Sequence, residues 1–333
     1  MLRLPKFAYH APESVDEVLA LLAEHPGEAR LIAGGTDLLP NLKHGIEDAS
    51  HVISLARVPG VSEVIEQSDG SLQLGAMLTL EAVAEHELVR ARYPALAQAV
   101  GLVAGPHHRR MGTLGGNVCL NTRCVYINQS HFWRESLGYC LKKDGSACHV
   151  VKKGKRCVAA ASNDSAPVLS LLNAELTLVS AARGERRLLV SDFYVRDGVF
   201  NKQLEPDELL TQVRVPAPPA GYHAAYTKLR PRDSIDFPRL SVAAGFRLAD
   251  GKVADLGLVV SALASSPVRL NKVTELAEGR QPDEALFEEL GAAAYKQCHP
   301  LTNIDGDPTW RREMVPVYVK RALRAALEGG SAS

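Results

Sequence analysis

Residues 31–39 read Leu-Ile-Ala-Gly-Gly-Thr-Asp-Leu-Leu, a short apolar run that ends in two glycines and continues through two polar residues. This pattern predicts a buried strand, a tight turn and then a helix that begins at Asp37. Because glycine lets the backbone approach closely, successive N–H groups of the turn could bind an anion such as a phosphate. A second such turn, Thr-Leu-Gly-Gly-Asn, occupies residues 113–117. The two loops could hold the two phosphates of one dinucleotide, although each could also be an ordinary turn.

Other candidate nucleotide signals are weaker. The chain contains no G-x-G-x-x-G sequence, so a Rossmann-type nicotinamide site is not indicated. Asp164 precedes a helical pattern and could simply cap that helix. Lys228 lies in the strand-like segment 226–230, where the default interpretation is a solvated side chain.

Length and charge restrict the class of protein. The chain has 333 residues, which is typical of about two domains. Its 38 basic and 38 acidic residues balance, so no global field favours nucleic acid or an anionic membrane. No segment reaches the roughly 20 apolar residues of a membrane-spanning helix, and the first residues have no apolar signal core. A cytoplasmic protein without nucleic-acid or membrane partners is predicted.

The order of predicted elements divides the chain near the Pro-rich stretch 215–221. Short strands and helices alternate before it. After it, two strands joined at Asp250-Gly251 form a predicted hairpin, and three helical patterns follow at residues 270–279, 284–297 and 309–328. This order predicts an α+β protein with one domain at residues 1–215 and a second domain, of antiparallel sheet plus helices, at residues 216–333.

The six cysteines are unevenly distributed, since five of them fall within residues 119–157. In a reducing compartment such a grouping is more typical of metal binding than of disulfides. Among Cys124, Cys140, Cys148 and Cys157, no pair has the spacing of roughly two to four residues that structural zinc sites usually show. Four widely spaced thiolates suit an iron–sulfur cluster better. A zinc site, or free thiols that bind no metal, stay open as alternatives.

The segment around these cysteines is basic. Residues 120–160 hold eight Lys or Arg residues against two acidic ones, a formal charge of +6 in a neutral chain. A cluster with four thiolate ligands is anionic, and nearby cations would stabilise it. An exposed basic surface would also attract an acidic electron donor such as a ferredoxin. A solvated loop is the alternative explanation.

Four motifs together resemble those of the FAD-binding medium subunits in the xanthine dehydrogenase and carbon monoxide dehydrogenase family. They are the two glycine loops, the Asp ahead of Pro-Val-Leu-Ser-Leu-Leu-Asn-Ala-Glu, and the later Tyr-Thr-Lys-Leu. The resemblance covers nearly the whole chain. It implies a two-part FAD-binding domain of the PCMH type, followed by a domain like the C-terminal one of the CO dehydrogenase flavoprotein. It also implies that FAD is contacted by Leu31, Ile32, Ala33, Gly34, Gly35, Thr36, Asp37, Leu38, Val103, Thr113, Leu114, Gly115, Gly116, Asn117, Asp164 and Lys228.

In most members of this family a short stretch separates the Asn of the second loop from the Asp, whereas here Asn117 and Asp164 are 47 residues apart. A cysteine-bearing insert at this point, roughly residues 120–160, resembles the beta subunits of 4-hydroxybenzoyl-CoA reductases. This resemblance implies FAD and a [4Fe–4S] cluster in one chain, with the four insert cysteines as ligands and no catalytic residue. Cys119 and Cys298 are interpreted as packing residues.

The same resemblance implies partners and a direction of electron flow. A large molybdopterin subunit and a small subunit with two [2Fe–2S] clusters would complete a dimer of heterotrimers. Reduced ferredoxin would supply electrons, which pass through this chain toward the molybdenum site. There 4-hydroxybenzoyl-CoA would be reductively dehydroxylated to benzoyl-CoA, a step of anaerobic aromatic degradation.

Two alternatives stay open. One is the flavin subunit of another molybdenum hydroxylase, of the xanthine or CO dehydrogenase type, with electrons running outward from substrate. The other is a zinc-stabilised scaffold without redox work.

Overall fold

The computed structural model describes residues 2–329, and its first unit is a small parallel sheet. This unit contains, in chain order, β1 (Ala8–His10), α1 (Val15–Glu24), β2 (Ala29–Ile32), α2 (Leu38–Lys43) and β3 (His51–Ser54). Strands β1 and β2 both pair in parallel with β3, which is the central strand. Helix α1 begins where a cap is available, because the Ser14 hydroxyl accepts the N–H of Glu17 at 3.2 Å.

The second unit is a five-stranded sheet with a layer of short helices. Its elements are β4 (Val64–Glu66), β5 (Leu72–Gly75), α3 (Leu80–Glu85), α4 (Glu87–Arg92), α5 (Pro94–Gly101), α6 (Pro106–Met111), α7 (Leu114–Val118), α8 (His131–Ser136), α9 (Ser165–Leu171), β6 (Glu175–Ser180), β7 (Gly184–Leu189), α10 (Val190–Phe193) and β8 (Glu208–Val215). The strands are antiparallel in the order β4, β5, β8, β6, β7. Nearly every residue of β8 is buried, as expected for a strand at the centre of a covered sheet.

The third unit is an antiparallel meander covered by two long helices. It contains β9 (Tyr222–Leu229), β10 (Leu240–Ala249), β11 (Lys252–Ser261), β12 (Val268–Arg269), α11 (Asn271–Thr274), α12 (Glu284–Gln297) and α13 (Pro308–Leu327). The predicted hairpin between β10 and β11 is confirmed, since Asp250 and Gly251 have φ values of +51° and +72°, as a two-residue turn of type I′ requires. The core under the sheet is formed by side chains such as Phe246, Phe287 and Val319.

The predicted α+β class is confirmed, with mixed helices and sheet in the first two units and an antiparallel sheet plus helices in the third. One predicted helix is much shorter than its pattern suggests. The helical spacing over residues 270–279 yields only the single turn α11, because the N–H of Gly279 donates to the carbonyl of Val253 at 2.9 Å and draws the chain back to β11. Within residues 2–329, every helix is too short or too polar to cross a bilayer.

The cysteine-bearing insert is folded against its surroundings. The guanidinium of Arg134, in α8, is buried and donates to the carbonyls of His44 and Gly45 at 2.7 and 3.0 Å, which joins the insert to the end of α2. On the other side, the carbonyl of Asn303 accepts the N–H of Val125 at 2.8 Å. The insert is therefore held between the first unit and the third.

Candidate flavin site and thiol site

A cleft of about 620 Å³ opens between the three units, and both glycine loops line it. This volume is within the usual range for small-molecule and cofactor sites. Of the sixteen residues that the family resemblance assigns to FAD, thirteen line the cleft. The other three, Ile32, Leu114 and Lys228, are not part of its lining.

The first glycine loop presents free backbone donors. Within the described part of the chain, the N–H groups of Gly34, Gly35 and Thr36 have no hydrogen-bond acceptor. Gly35 has a φ of +71°, a left-handed conformation that glycine adopts without strain. Unpaired N–H groups in a turn of this kind fit an anionic group such as a pyrophosphate.

The second glycine loop has its donors occupied. The N–H of Leu114 donates to the carbonyl of Leu78, and that of Gly115 donates to the carbonyl of Ala76, both at 2.8 Å. The N–H of Gly116 donates to the Thr113 hydroxyl, within the same loop, at 3.1 Å. The first loop therefore has more free backbone donors for a phosphate than the second, which mainly forms a wall of the cleft.

Both loops need glycine for a packing reason. A Cβ built on Gly34 would lie 1.7 Å from the carbonyl oxygen of Met111, in the segment just before the second loop. A Cβ on Gly115 would lie 2.7 Å from the Cβ of Ala76. Neither glycine leaves room for a side chain, so the backbone segments around the cleft are in direct contact.

Asp164 lies in the cleft wall, and its carboxylate accepts hydrogen bonds from two residues of the third unit. One oxygen accepts from Lys228 Nζ at 2.9 Å, and the other accepts from the Tyr226 hydroxyl at 2.5 Å. Asp164 is the N-cap residue of α9 but makes no capping hydrogen bond, so the interpretation as a helix cap is wrong. Burial raises the pKa of Asp164, and the Lys228 charge opposes that shift.

Lys228 lies behind the cleft wall. Its side chain is only 1% exposed, so the interpretation as a solvated strand residue is wrong. The ammonium also donates to the carbonyl of Leu102 at 3.0 Å, next to the predicted flavin contact Val103. Its role in this structure is to hold two parts of the wall together.

The two ends of the insert meet at Asn117. Its Oδ1 accepts from both the N–H and the hydroxyl of Ser165, at 3.1 and 2.6 Å. The second glycine loop and Asp164 are therefore adjacent in space although Asn117 and Asp164 are 47 positions apart in the sequence. The insert leaves the domain and returns to it at the edge of the cleft.

Arg123 is a cleft residue that the sequence-based prediction missed. Its guanidinium pairs with Asp37 and lies 4.5 Å from the centre of the Phe237 ring, a cation–π distance. Burial raises the pKa of Asp37, and the Arg123 charge partly offsets this. The only signal in the sequence is that Arg123 immediately precedes Cys124.

Two family models match the chain. The FAD binding domain in molybdopterin dehydrogenase matches residues 5–218, and the CO dehydrogenase flavoprotein C-terminal domain matches residues 224–326. The chain belongs to the family of FAD-binding subunits of molybdopterin dehydrogenases. FAD is therefore the cofactor expected in the cleft.

Named relatives agree with this family. The carbon monoxide dehydrogenase medium chain of Hydrogenophaga pseudoflava is 27% identical, over 97% of both chains. The aldehyde oxidoreductase FAD-binding subunit PaoB of Escherichia coli is 32% identical, over 83% of this chain and 87% of its own length. A solved structure of carbon monoxide dehydrogenase from H. pseudoflava, lacking the Mo-pyranopterin moiety, contains a chain that matches with a TM-score of 0.81 at 26% identity, covering 99% of this chain and 100% of that one.

Beside the flavin cleft of this family member, the insert forms a second site. All four of its predicted ligand cysteines line one small cavity: Cys124, Cys140, Cys148 and Cys157. An antiparallel bridge between Arg123 and Ala160 aligns the first and last parts of the insert. The N–H of Leu141 donates to the carbonyl of Ala147 at 2.7 Å, which closes the loop between Cys140 and Cys148.

The spread of the four sulfur atoms bears on the kind of metal centre. A zinc ion with four thiolates at about 2.3 Å holds its sulfur ligands roughly 3.8 Å apart. Within residues 2–329, the one group of three or more ligand atoms lying within 4.8 Å of one another is a histidine cluster elsewhere. No three of the insert sulfurs therefore lie as close together in this structure as the ligands of a single zinc ion would.

The remaining cysteines differ in their surroundings. Cys298 is 3% exposed in the core of the third unit, and burial raises its pKa to about 12. Cys119 packs against the core of the second unit and also lines the flavin cleft, where burial raises its pKa to about 11. Both are therefore neutral thiols near neutral pH.

Proposed function

We propose that this chain is the electron-transfer subunit of a molybdenum hydroxylase, with FAD in the cleft and a [4Fe–4S] cluster on the four insert cysteines. The observation that supports this most is that cysteines spread over 34 residues line one cavity, in a segment that also supplies Arg123 to the flavin cleft. FAD, when bound, exchanges electrons singly or in pairs and so can connect centres of both kinds. The family descriptions name FAD and molybdopterin, so the cluster rests on the thiols of this chain alone.

For FAD, we infer a division of roles among the predicted residues. The free N–H groups within residues 31–38 would receive the pyrophosphate. Residues 113–117 and Val103 would shape the wall against the rest of the cofactor. Asp164 would contact it directly, while Lys228 would act by holding Asp164 in place.

The thiol site can compensate the negative charge of a cluster. Burial raises the pKa of Cys124 to about 11, so cluster binding must displace its proton. The amine of Lys142 lies at the same cavity and donates to the hydroxyl of Thr122 at 2.7 Å. Burial lowers the pKa of Lys142 to about 8, so it is still largely cationic near neutral pH. A fixed cation at this position would stabilise four thiolates.

The basic charge of the insert divides into two groups. One group has internal partners and is not available to another protein: Arg123, Arg134, Lys142 and Lys143. The other group is exposed and immediately precedes the last ligand cysteine: Lys152, Lys153, Lys155 and Arg156. This second group, which we call the basic loop, would attract an acidic redox partner such as a ferredoxin.

The comparisons favour the oxidising direction of electron flow. The relatives are named for carbon monoxide, xanthine, aldehyde and glyceraldehyde oxidation. By analogy, a large molybdopterin subunit would oxidise the substrate, and a small [2Fe–2S] subunit would pass electrons to this chain, in a cytoplasmic dimer of heterotrimers. The second candidate is the subunit of a 4-hydroxybenzoyl-CoA reductase, in which ferredoxin supplies the electrons. The cysteine-bearing insert is the feature that favours it.

Anaerobic purification of the complex tests the cofactor assignment, with analysis of FAD, iron, sulfide and zinc. The Cys140→Ala variant should lose about four irons and four sulfides per chain relative to the native complex, while FAD stays bound. Cys298→Ala is the matched control and should lose neither. Equal iron in the two variants, or zinc at the insert of the native protein, would show that the cluster assignment is wrong.

The same complex tests the direction of electron flow. Bleaching of the flavin by an aldehyde or a purine, without any added protein donor, would support the oxidising enzyme. Consumption of 4-hydroxybenzoyl-CoA with reduced ferredoxin, and no bleaching by those substrates, would support the reductase instead.

A further inference from the structure

Three histidines from separate segments converge in the first unit, away from both sites described above. His10 ends β1, His25 is the C-cap residue of α1, and His51 begins β3. One ring nitrogen from each lies within 4.8 Å of those of the other two. None of the three lines the flavin cleft or the thiol cavity.

The backbone fixes this convergence. In the parallel pair of β1 and β3, Ala8 is opposite His51, so His10 lies two residues further along and on the same face. The carbonyl of His25 accepts the N–H of Ala29 at 3.2 Å, and Ala29 is itself the β2 partner of His51. Each histidine is thus attached to a different element, and the sheet holds all three together.

The spacing of two of the ring nitrogens is close to that in a metal site. His10 Nε2 and His51 Nδ1 are hydrogen-bonded at 3.0 Å, and a bound ion would replace the shared proton. Two nitrogens bound to one tetrahedral zinc ion at about 2.05 Å are roughly 3.3 Å apart. The His25 ring is stacked on that of His51, with centroids 3.5 Å apart and planes 12° apart, so the His25 ring must rotate to point a nitrogen at an ion bound by the other two. All three side chains are half-buried and therefore reachable from solvent.

We propose that His10, His25 and His51 bind one borderline divalent ion of the Zn²⁺ type. Imidazole is the preferred ligand of such ions, and three histidines leave a fourth position for water. The Glu24 carboxylate, 4.0 Å from His25 Nε2 and largely exposed, can fill that position or hold the water. The ion would join the short edge strand β1 to α1 and β3, which stabilises the first unit.

The first test is Zn²⁺ binding to the intact, flavin-loaded protein, measured by calorimetry after a weak chelator has removed loosely bound ions. The native protein should bind one Zn²⁺ that His51→Ala and His25→Ala bind at least tenfold more weakly. His299→Ala removes an exposed imidazole from the third unit and is the matched control, with unchanged affinity expected. Equal affinity in all four proteins would overturn the proposal.

The second test separates this site from the insert thiols. Co²⁺ should give a visible spectrum without the strong near-ultraviolet thiolate charge-transfer band, and His51→Ala should abolish it. A thiolate band that survives in His51→Ala would show that the ion binds the cysteines instead, and would also overturn the proposal. His51→Asn, with normal FAD content and thermal midpoint, shows that any loss reflects ligation and not misfolding. FAD retention is unaffected by either outcome, so the proposed function is tested separately.

Discussion

Lys228 Nζ lies 2.9 Å from Asp164 Oδ2, and both side chains are at most 3% exposed. The pair connects β9 of the third unit to the N-terminus of α9, in the wall of the flavin cleft. The Tyr226 hydroxyl donates to the other carboxylate oxygen, so one buried carboxylate binds two residues of β9, Tyr226 and Lys228. A buried charge of this kind is tolerable only while its partner is present.

Removing one member of this pair should therefore cost more than removing both. Lys228→Met is expected to lower the free energy of unfolding by roughly 3 to 5 kcal/mol, because it leaves the buried Asp164 carboxylate without its cationic partner. The double variant Lys228→Met/Asp164→Asn should recover part of that loss. Urea unfolding of the wild type, both single variants and the double variant gives the coupling, and simple additivity would contradict the prediction.

Even the smallest side chain at Gly34 should disturb flavin binding. In Gly34→Ala the new methyl group would overlap the Met111 carbonyl, so the first loop must move and its free N–H groups with it. Loss of most bound FAD is expected, measured by absorbance after gel filtration. Gly101→Ala is the matched control, because its methyl group would meet only Ala84 Cβ at 3.8 Å. Full flavin content in Gly34→Ala would show that the loop does not hold the cofactor.

Gly198 offers a way to disturb the thiol site without removing a thiol. A Cβ on Gly198 would lie 2.6 Å from Cys157 Sγ and 2.8 Å from the N–H nitrogen of Ala159. Gly198→Ala should therefore displace the Cys157 sulfur and lower the iron content at least severalfold, while FAD is retained. The Gly101→Ala variant again serves as control. Unchanged iron would place Cys157 outside the ligand set.

Acid stability should depend on Glu208, whose side chain is 2% exposed. Burial by itself would raise the pKa of Glu208, but hydrogen bonds from Arg186 at 2.6 and 2.8 Å and from the Glu205 N–H at 2.9 Å outweigh it and lower the pKa. A carboxyl with a lowered folded-state pKa stabilises the protein above its unfolded pKa, and that stability is lost as pH falls through the folded value.

Glu208→Gln should therefore lose roughly 1 to 3 kcal/mol of unfolding free energy at pH 7. The difference from wild type should shrink as the pH is lowered below about 4.3, the unfolded pKa of glutamate. Urea unfolding at a series of pH values measures both effects. A difference that stays constant down to the acid transition would show that Glu208 is not titrating in this way.

Electron exchange with an acidic partner protein should depend on the basic loop. Lys152→Glu/Lys153→Glu should lower the second-order rate by about tenfold or more at low salt, because electrostatic steering acts on the association rate. The salt dependence should weaken at the same time. Lys252→Glu/Lys272→Glu changes the net charge equally on the exposed surface of the third unit, and should have little effect. Equal slowing by both pairs would indicate a response to net charge and not a docking site.

Local elements were predictable because their causes lie within a few residues. The strand, turn and helix around residues 31–43 follow from an apolar run, Gly-Gly and a helical pattern. The same holds for the Ser14 cap of α1 and for the turn at Asp250-Gly251. In each case the hydrogen bond or the backbone angle that decides the structure joins neighbours in the chain.

The partners of the buried polar groups were decided by the tertiary structure. Taken locally, Asp164 reads as a helix cap and Lys228 as a solvated residue, yet they pair across 64 positions of sequence. Likewise the basic residues of the insert divide into internally paired and exposed groups only once the chain is folded.

The sequence by itself determined the family, the two glycine loops and the grouping of cysteines, since these are patterns of residue type and spacing. The tertiary structure decided which loop keeps its N–H groups free, which thiols share a cavity, and that three histidines meet in the first unit. The physical reason is the sequence separation over which the deciding interactions act. Residue type and local spacing set propensity, whereas burial and pairing depend on which distant segments pack together, and no short window of sequence contains that information.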